Sequence, residues 1–217
     1  MFTAAKSPGR GKMVHNLGTA VPSTEWSKTV GLEGKIVVFG DMPAVTSSSP
    51  RGMRILRQGT GPVVCRIVRN VSGGTLLPRR LVRWGTNYIG RRVAGYAYEG
   101  PSATTIGIPA GVVDDMLPDT GVPDGELFLI IVKGPALIKT PNVAVAAGAF
   151  DALDPLVVYN TTSGDANAGR IAKIDTTGVT ATLANNVMGM IGRAMSARTS
   201  GQTATDTLVL IDVDLTM

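Results

Sequence analysis

An all-β fold of short strands, closed as a barrel or packed as a sandwich, is what this sequence predicts. Three observations carry it. Glycine is frequent, at 27 of 217 residues, and Val, Thr and Ala dominate the rest. Apolar runs are short and bounded by Gly or Pro, as strands joined by tight turns require. Helical periodicity is nearly absent, so the regular spacing of short runs points to one or two similar β units.

The elements follow in order. Residues 1–30 show no sustained periodicity and contain Ser7-Pro8-Gly9, Gly11, Gly18 and Pro22-Ser23-Thr24, which predicts an extended arm. At roughly 3.3 Å per residue such an arm reaches about 100 Å, enough to cross a neighbouring subunit. Trp26, Val30 and Leu32 argue that its end is pinned. Strands are expected at Lys35–Phe39, Arg54–Arg57, Val63–Val71, Leu81–Trp84, Arg92–Tyr98 and Glu126–Lys133. In the second half they are expected at Leu156–Tyr159, Arg170–Asp175, Met188–Met195 and Thr207–Leu215, with one short helix at Thr182–Met190. The division that follows is an arm over 1–30, a basic β domain over 31–140, and a second β domain, or a continuation of the same barrel, over 141–217.

A faint internal repeat runs through these strands. Gly74-Thr75-Leu76, Leu81–Trp84, Val93–Ala97 and Glu126–Val132 recur in style as Gly148–Phe150, Leu156–Tyr159, Met190–Ala194 and Thr207–Val213. Each set holds a small-residue turn, a strand ending in an exposed aromatic, a Gly-x-Ala strand and a closing apolar strand.

Charge divides the chain more sharply than any motif. Residues 1–92 hold 15 of the 21 Lys+Arg and the acids Glu25, Glu33 and Asp41, a net 15 − 3 = +12. Residues 93–217 hold 6 bases and 13 acids, a net 6 − 13 = −7. Ten Arg and no carboxylate lie between Arg51 and Arg92. Such asymmetry speaks about partners: one end docks on something acidic, or the arginines pair with the acids of the second half. Arg79-Arg80 and Arg91-Arg92 bracket Leu81–Gly90 and are expected close together at the base of a hairpin. Bidentate guanidinium groups serve carboxylates as well as phosphates, and only Trp84 and Tyr88 are placed to stack bases.

Chemistry is thin by comparison. His15 is the sole histidine and falls in the arm, so Ser-His-Asp and Cys-His devices lack their proton carrier. Cys65 is the sole cysteine, which excludes an internal disulfide and a thiolate metal cluster. Gly11-Lys12-Met13 is not a phosphate-binding loop. Asp114, Asp115, Asp119, Asp124 and Glu126 crowd a Pro/Gly-rich stretch without calcium-loop spacing, which suits a solvated loop or an ion-pair surface. No signal core follows Met1, and the longest purely apolar run, Leu127–Val132, is six residues, too short for a membrane span. No catalytic residue, cofactor or metal is therefore expected.

In style and order the chain resembles the small β-rich decoration, or cement, proteins of tailed-bacteriophage heads. The likeness rests on the Gly/Pro/Ser arm, the Gly-rich strand ladder, the Gly-x-Ala strands Gly95-Tyr96-Ala97 and Gly192-Arg193-Ala194, and the C-terminal strand Thr207–Leu215. It covers residues 60–217. The resemblance implies a structural virion protein, not an enzyme, made in the host cytoplasm and seated on the outer face of the capsid. It would bind the major capsid protein and itself, as a trimer or a dimer, bridging neighbouring capsid subunits against internal pressure. Lys6, Arg10, Lys12, Trp26, Arg79, Arg80, Arg91 and Arg92 are the candidate capsid contacts. The long basic front segment and two-part layout depart from the smallest members. A head-fibre or tail component and a nucleic-acid-binding barrel using Arg51–Arg92 are the competing expectations.

Overall fold

The computed structural model describes residues 32–39, 62–97, 109–114, 117–140, 149–159, 166–174, 190–195, 197 and 208–215. Among them are ten strands and no α-helix, so the all-β expectation holds. Residues 1–30, the strand expected at Arg54–Arg57, and 182–189 of the expected helix lie outside the described residues. Met190, the last residue of that expected helix, instead opens a strand.

The strands are β1 (Ile36–Phe39), β2 (Val63–Asn70), β3 (Leu81–Trp84), β4 (Arg92–Tyr96) and β5 (Pro109–Val113), then β6 (Leu127–Lys139), β7 (Pro155–Val158), β8 (Ile171–Lys173), β9 (Met190–Ala194) and β10 (Leu208–Asp214). Their order in the sheet is β1-β2-β4-β3-β5-β6-β10-β9-β7-β8, with a further pairing of β2 to β6. That last pairing closes β2, β4, β3, β5 and β6 into a ring and so removes the open edges those five would have. β1 is appended to β2, and β10, β9, β7 and β8 continue the ladder from β6. All ring contacts are antiparallel except β2 with β4, where Arg69 and Arg92 lie side by side on parallel strands.

Alternation explains β2. Val63, Cys65 and Ile67 point into the core while Val64 and Arg66 are half-exposed, as a period of two demands. From Val68 to Asn70 every residue is buried, Arg69 against Glu33 and the Gly125 carbonyl and Asn70 against the Gly74 and Val122 carbonyls. β6 is apolar on both faces, with Phe128, Leu129, Ile130 and Ile131 all fully buried. Its first part pairs with β2 from Leu127 to Lys133, and its second pairs with β10 from Lys133 to Lys139. The sequence predicts a strand that ends at Lys133, just before Gly134-Pro135. The strand instead runs on, and the pair marks where it passes from one neighbour to the other. Gly134 sits at φ 94, and a Cβ there would come within 2.4 Å of the Pro62 carbonyl oxygen.

β5 is the strand the sequence pattern does not announce. Pro109 and Gly111 break its look, yet it lies buried between β3 and β6. The turn at 166–170 fastens the later strands to the ring. Leu81 N–H donates to Gly169 O at 2.7 Å, Gly169 N–H to Ala97 O at 2.8 Å, and Arg170 Nη1 to Thr140 O at 2.6 Å. One apolar core runs through both parts, from Val63 to Val213. The two Gly-x-Ala strands have matching settings: β4 pairs with β3 and β9 with β7, each antiparallel and each across a register shift. The aromatics expected to be exposed at the ends of β3 and β7 are not. Trp84 is buried and Tyr159 half-buried.

Candidate functional site

The basic half of the chain is organised around one acid. Leu32, Glu33 and Gly34 form a turn just before β1, where Lys35 N–H donates to Leu32 O at 3.2 Å. The Glu33 side chain is only 4% exposed. Arg69 Nε donates to its Oε1, and Arg92 Nε donates to its Oε2 at 3.1 Å. Two guanidinium groups side by side on β2 and β4 would repel; the carboxylate between them turns the repulsion into a clamp. Arg69 also donates to Gly125 O at 2.6 Å, so the clamp holds the root of the N-terminal segment, the ring and the turn before β6 together. A sequence signal for it existed: Glu33 is one of three acids among 15 bases, directly ahead of a strand.

Most of the remaining described arginines are also engaged within the chain. Arg66 lies over the Trp84 ring with 5.7 Å to its centroid, Arg80 over Tyr96 at 4.9 Å, and Arg92 over Tyr88 at 4.5 Å. Each of the two aromatics expected to stack bases thus carries one of the protein's own cations over a ring face, Trp84 being buried and Tyr88 exposed.

The two arginine pairs part company. Arg91 is exposed and Arg92 half-buried at the clamp, whereas Arg79 and Arg80 are buried. Arg79 adopts φ 63 in a turn whose backbone is bonded on both sides, its N–H to Val113 O at 3.1 Å and its O to Lys139 N–H at 2.9 Å. That turn carries both side chains inward. Arg79 reaches Asp119 at 3.1 Å, and Arg80 Nη1 donates to Ala168 O at 3.3 Å. This placement corrects the expectation that the pair stands beside Arg91-Arg92 as a surface contact. Lys6, Arg10, Lys12 and Trp26 lie outside the described residues. Arg80→Ala is expected to lower folding stability by about 2 kcal/mol, through the lost stack on Tyr96, the lost bond to Ala168 and the lost packing of its stem. Arg91→Ala should change it by less than about 0.5 kcal/mol. Thermal melts of the two variants check this.

Residues 117–126 of the acidic stretch form structured turns. Asp124 accepts from Gly73 N–H at 2.8 Å, and Asn70, fully buried, donates to Gly74 O at 2.7 Å and Val122 O at 2.9 Å. Burial raises the Glu126 carboxyl above its usual pKa. A second polar turn lies between Phe150 and β7. There Asp151 N–H donates to the Asp154 carboxylate at 2.8 Å, and Lys173 pairs with the same oxygen at 2.8 Å. The bond from Lys173, with the Asp151 N–H, holds Asp154 below the usual carboxylate pKa. Among the described residues no three His, Cys, Asp or Glu side chains come together as a metal site, and no helix is long and apolar enough to cross a membrane. Cys65 is buried in the core.

No protein-family model matches the chain, and no curated protein matches it. Among solved structures, a chain of "The capsid of Myoviridae Phage XM1" superposes over 81% of this chain and 92% of its own length, with 16% identical residues and a TM-score of 0.37.

Proposed function

We propose that this chain is a structural protein of a bacteriophage head that binds the outer surface of the capsid and bridges neighbouring major capsid subunits. The observation that supports this most is the Glu33 clamp. A segment of more than thirty residues with three bases in its first twelve, Lys6, Arg10 and Lys12, is rooted directly in the strand ring. A pull on that segment is therefore delivered to β2 and β4 rather than to a loose loop. The internal use of the arginines favours protein partners over nucleic acid, since cations stacked on Trp84, Tyr88 and Tyr96 are less available to phosphates.

Co-sedimentation with DNA-free and DNA-filled shells of the phage that encodes the chain tests it. Both shells should bind alike, and removal of residues 1–30 should cut occupancy at least tenfold while leaving the far-ultraviolet spectrum of a folded β protein. Binding that follows DNA content, or an undiminished occupancy by the shortened chain, would overturn the proposal.

A further inference from the structure

The strand order contains the same path twice. The ring runs β2-β6-β5-β3-β4, and from the second half of β6 the ladder runs β6-β10-β9-β7-β8. Every step of both paths is antiparallel. Likeness of the Gly-x-Ala strands sets β9 beside β4, whereas the register sets it beside β5. Val82 faces Gly111 and Arg83 faces Pro109 across a register shift; Leu156 faces Gly192 and Val157 faces Met190 across the same shift. The turns ahead of β3 and β7 agree as closely. Among the described residues, Arg79 and Leu153 are the two other than glycine with positive φ, at 63 and 73. Arg79 N–H donates to Val113 O at 3.1 Å, and Leu153 N–H to Ala194 O at 2.7 Å. Val113 N–H in turn donates to Arg80 O at 2.9 Å, and Ala194 N–H to Asp154 O at 3.0 Å. The bond from Ala97 N–H to Leu81 O matches that from Ile174 N–H to Pro155 O, and Gly85 N–H to Arg92 O matches Tyr159 N–H to Arg170 O.

The sequence carries the same alignment. Residues 127–133 read LFLIIVK and 208–214 read LVLIDVD, while 67–70 read IVRN and 137–140 read LIKT. Leu127 faces Arg69, and Leu208 faces Lys139. Leu76 and Phe150, both buried, stand five residues ahead of Leu81 and Pro155.

One joint differs. In the first unit Arg69 N–H donates to Arg91 O at 3.0 Å and draws β2 onto β4. Lys139 and Gly169 hold those places in the second unit, but a piece of the first lies between them. Lys139 N–H donates to Arg79 O at 2.9 Å, and Leu81 N–H donates to Gly169 O at 2.7 Å. Gly169 makes room where the first unit has Arg91: a Cβ there would stand 2.7 Å from the Leu81 oxygen. The matching turn of the second unit cannot bridge a further ring in this way, because Pro155 has no N–H in the place of Leu81.

We infer that the chain is a tandem duplication of one five-stranded unit, and that Arg79–Leu81 of the first unit closes the ring of the second. The second unit therefore depends on the first, while the first is closed by its own strands. The inference stands independently of the capsid role.

Hydrogen–deuterium exchange on two variants of the full chain tests it. Leu81→Pro gives the first unit the residue that the second already carries at that place, so the backbone should accept it. It deletes the N–H that reaches Gly169. Leu81→Val keeps that N–H and leaves a side chain of the same three carbons. Both variants should fold. Amides of 156–159 and 171–174 should exchange at least tenfold faster in Leu81→Pro than in Leu81→Val, whereas those of 63–70 and 127–132 should agree within about threefold. A Leu81→Pro chain that fails to fold where Leu81→Val folds would overturn the equivalence of Leu81 with Pro155. Equal acceleration in both rings, or no difference in the second, would overturn the bridging role of Arg79–Leu81.

Discussion

Gly134→Ala should destabilise the fold by about 3 kcal/mol, from roughly 1–2 for a side chain forced into the left-handed region and 1–3 for overpacking. Gly134 lies where β6 leaves β2 for β10, and the added Cβ would stand 2.4 Å from the backbone oxygen of Pro62. Backbone cannot swing aside as the tip of a long side chain can. Gly73 supplies the control: it has φ 76, but nothing lies within 4 Å of its added Cβ. Gly73→Ala should therefore show the conformational cost alone, about 1 kcal/mol. Urea unfolding of the two variants separates the terms. Equal midpoints would mean that Pro62 gives way, and that the passage of β6 between neighbours is not a tight point.

Glu33→Ala should cost about 3–5 kcal/mol, the range for removing one partner of a buried ion pair. Arg69 would be left with a guanidinium group 5% exposed and beside that of Arg92. Arg92→Ala alone should cost less, since that side chain is 33% exposed and water screens it. In the double variant the losses should fall short of their sum, because removing Arg92 also removes the repulsion that Glu33 had masked. Chemical denaturation of the four proteins gives the coupling directly. Additive losses would dismiss the clamp as a unit.

The strands were largely legible because alternation and short bounded runs are local properties. Val63–Val71 and Leu81–Trp84 stand within a residue of β2 and β3. What failed has physical reasons. Pro109 and Gly111 hid β5, whose pairing with β3 shifts register there, and Gly134-Pro135 hid the second half of β6, where the strand changes neighbours; breaker residues are tolerated at such irregular points, and composition does not reveal them. The fate of the arginines was equally hidden. Density of charge says that Arg79 and Arg80 must be satisfied; only the φ of Arg79 and the bonds on either side of it decide that they turn inward.

The closure of the ring also governs when this protein can fold. Val68 pairs with Phe128, and Arg69 with Leu127, so β2 waits through nearly sixty residues of synthesis for its partner. β10, which borders the far half of β6, comes last of all. Until β6 leaves the ribosome, β1 to β5 can form at most an open ladder, β1-β2-β4-β3-β5, whose ring is not closed. Pairings this distant in sequence are slow to form, and unpaired edges invite association with other nascent chains. The protein is thus committed late, when the last third of its chain arrives, and its yield in the cell should depend on temperature and expression rate more steeply than its final stability would indicate.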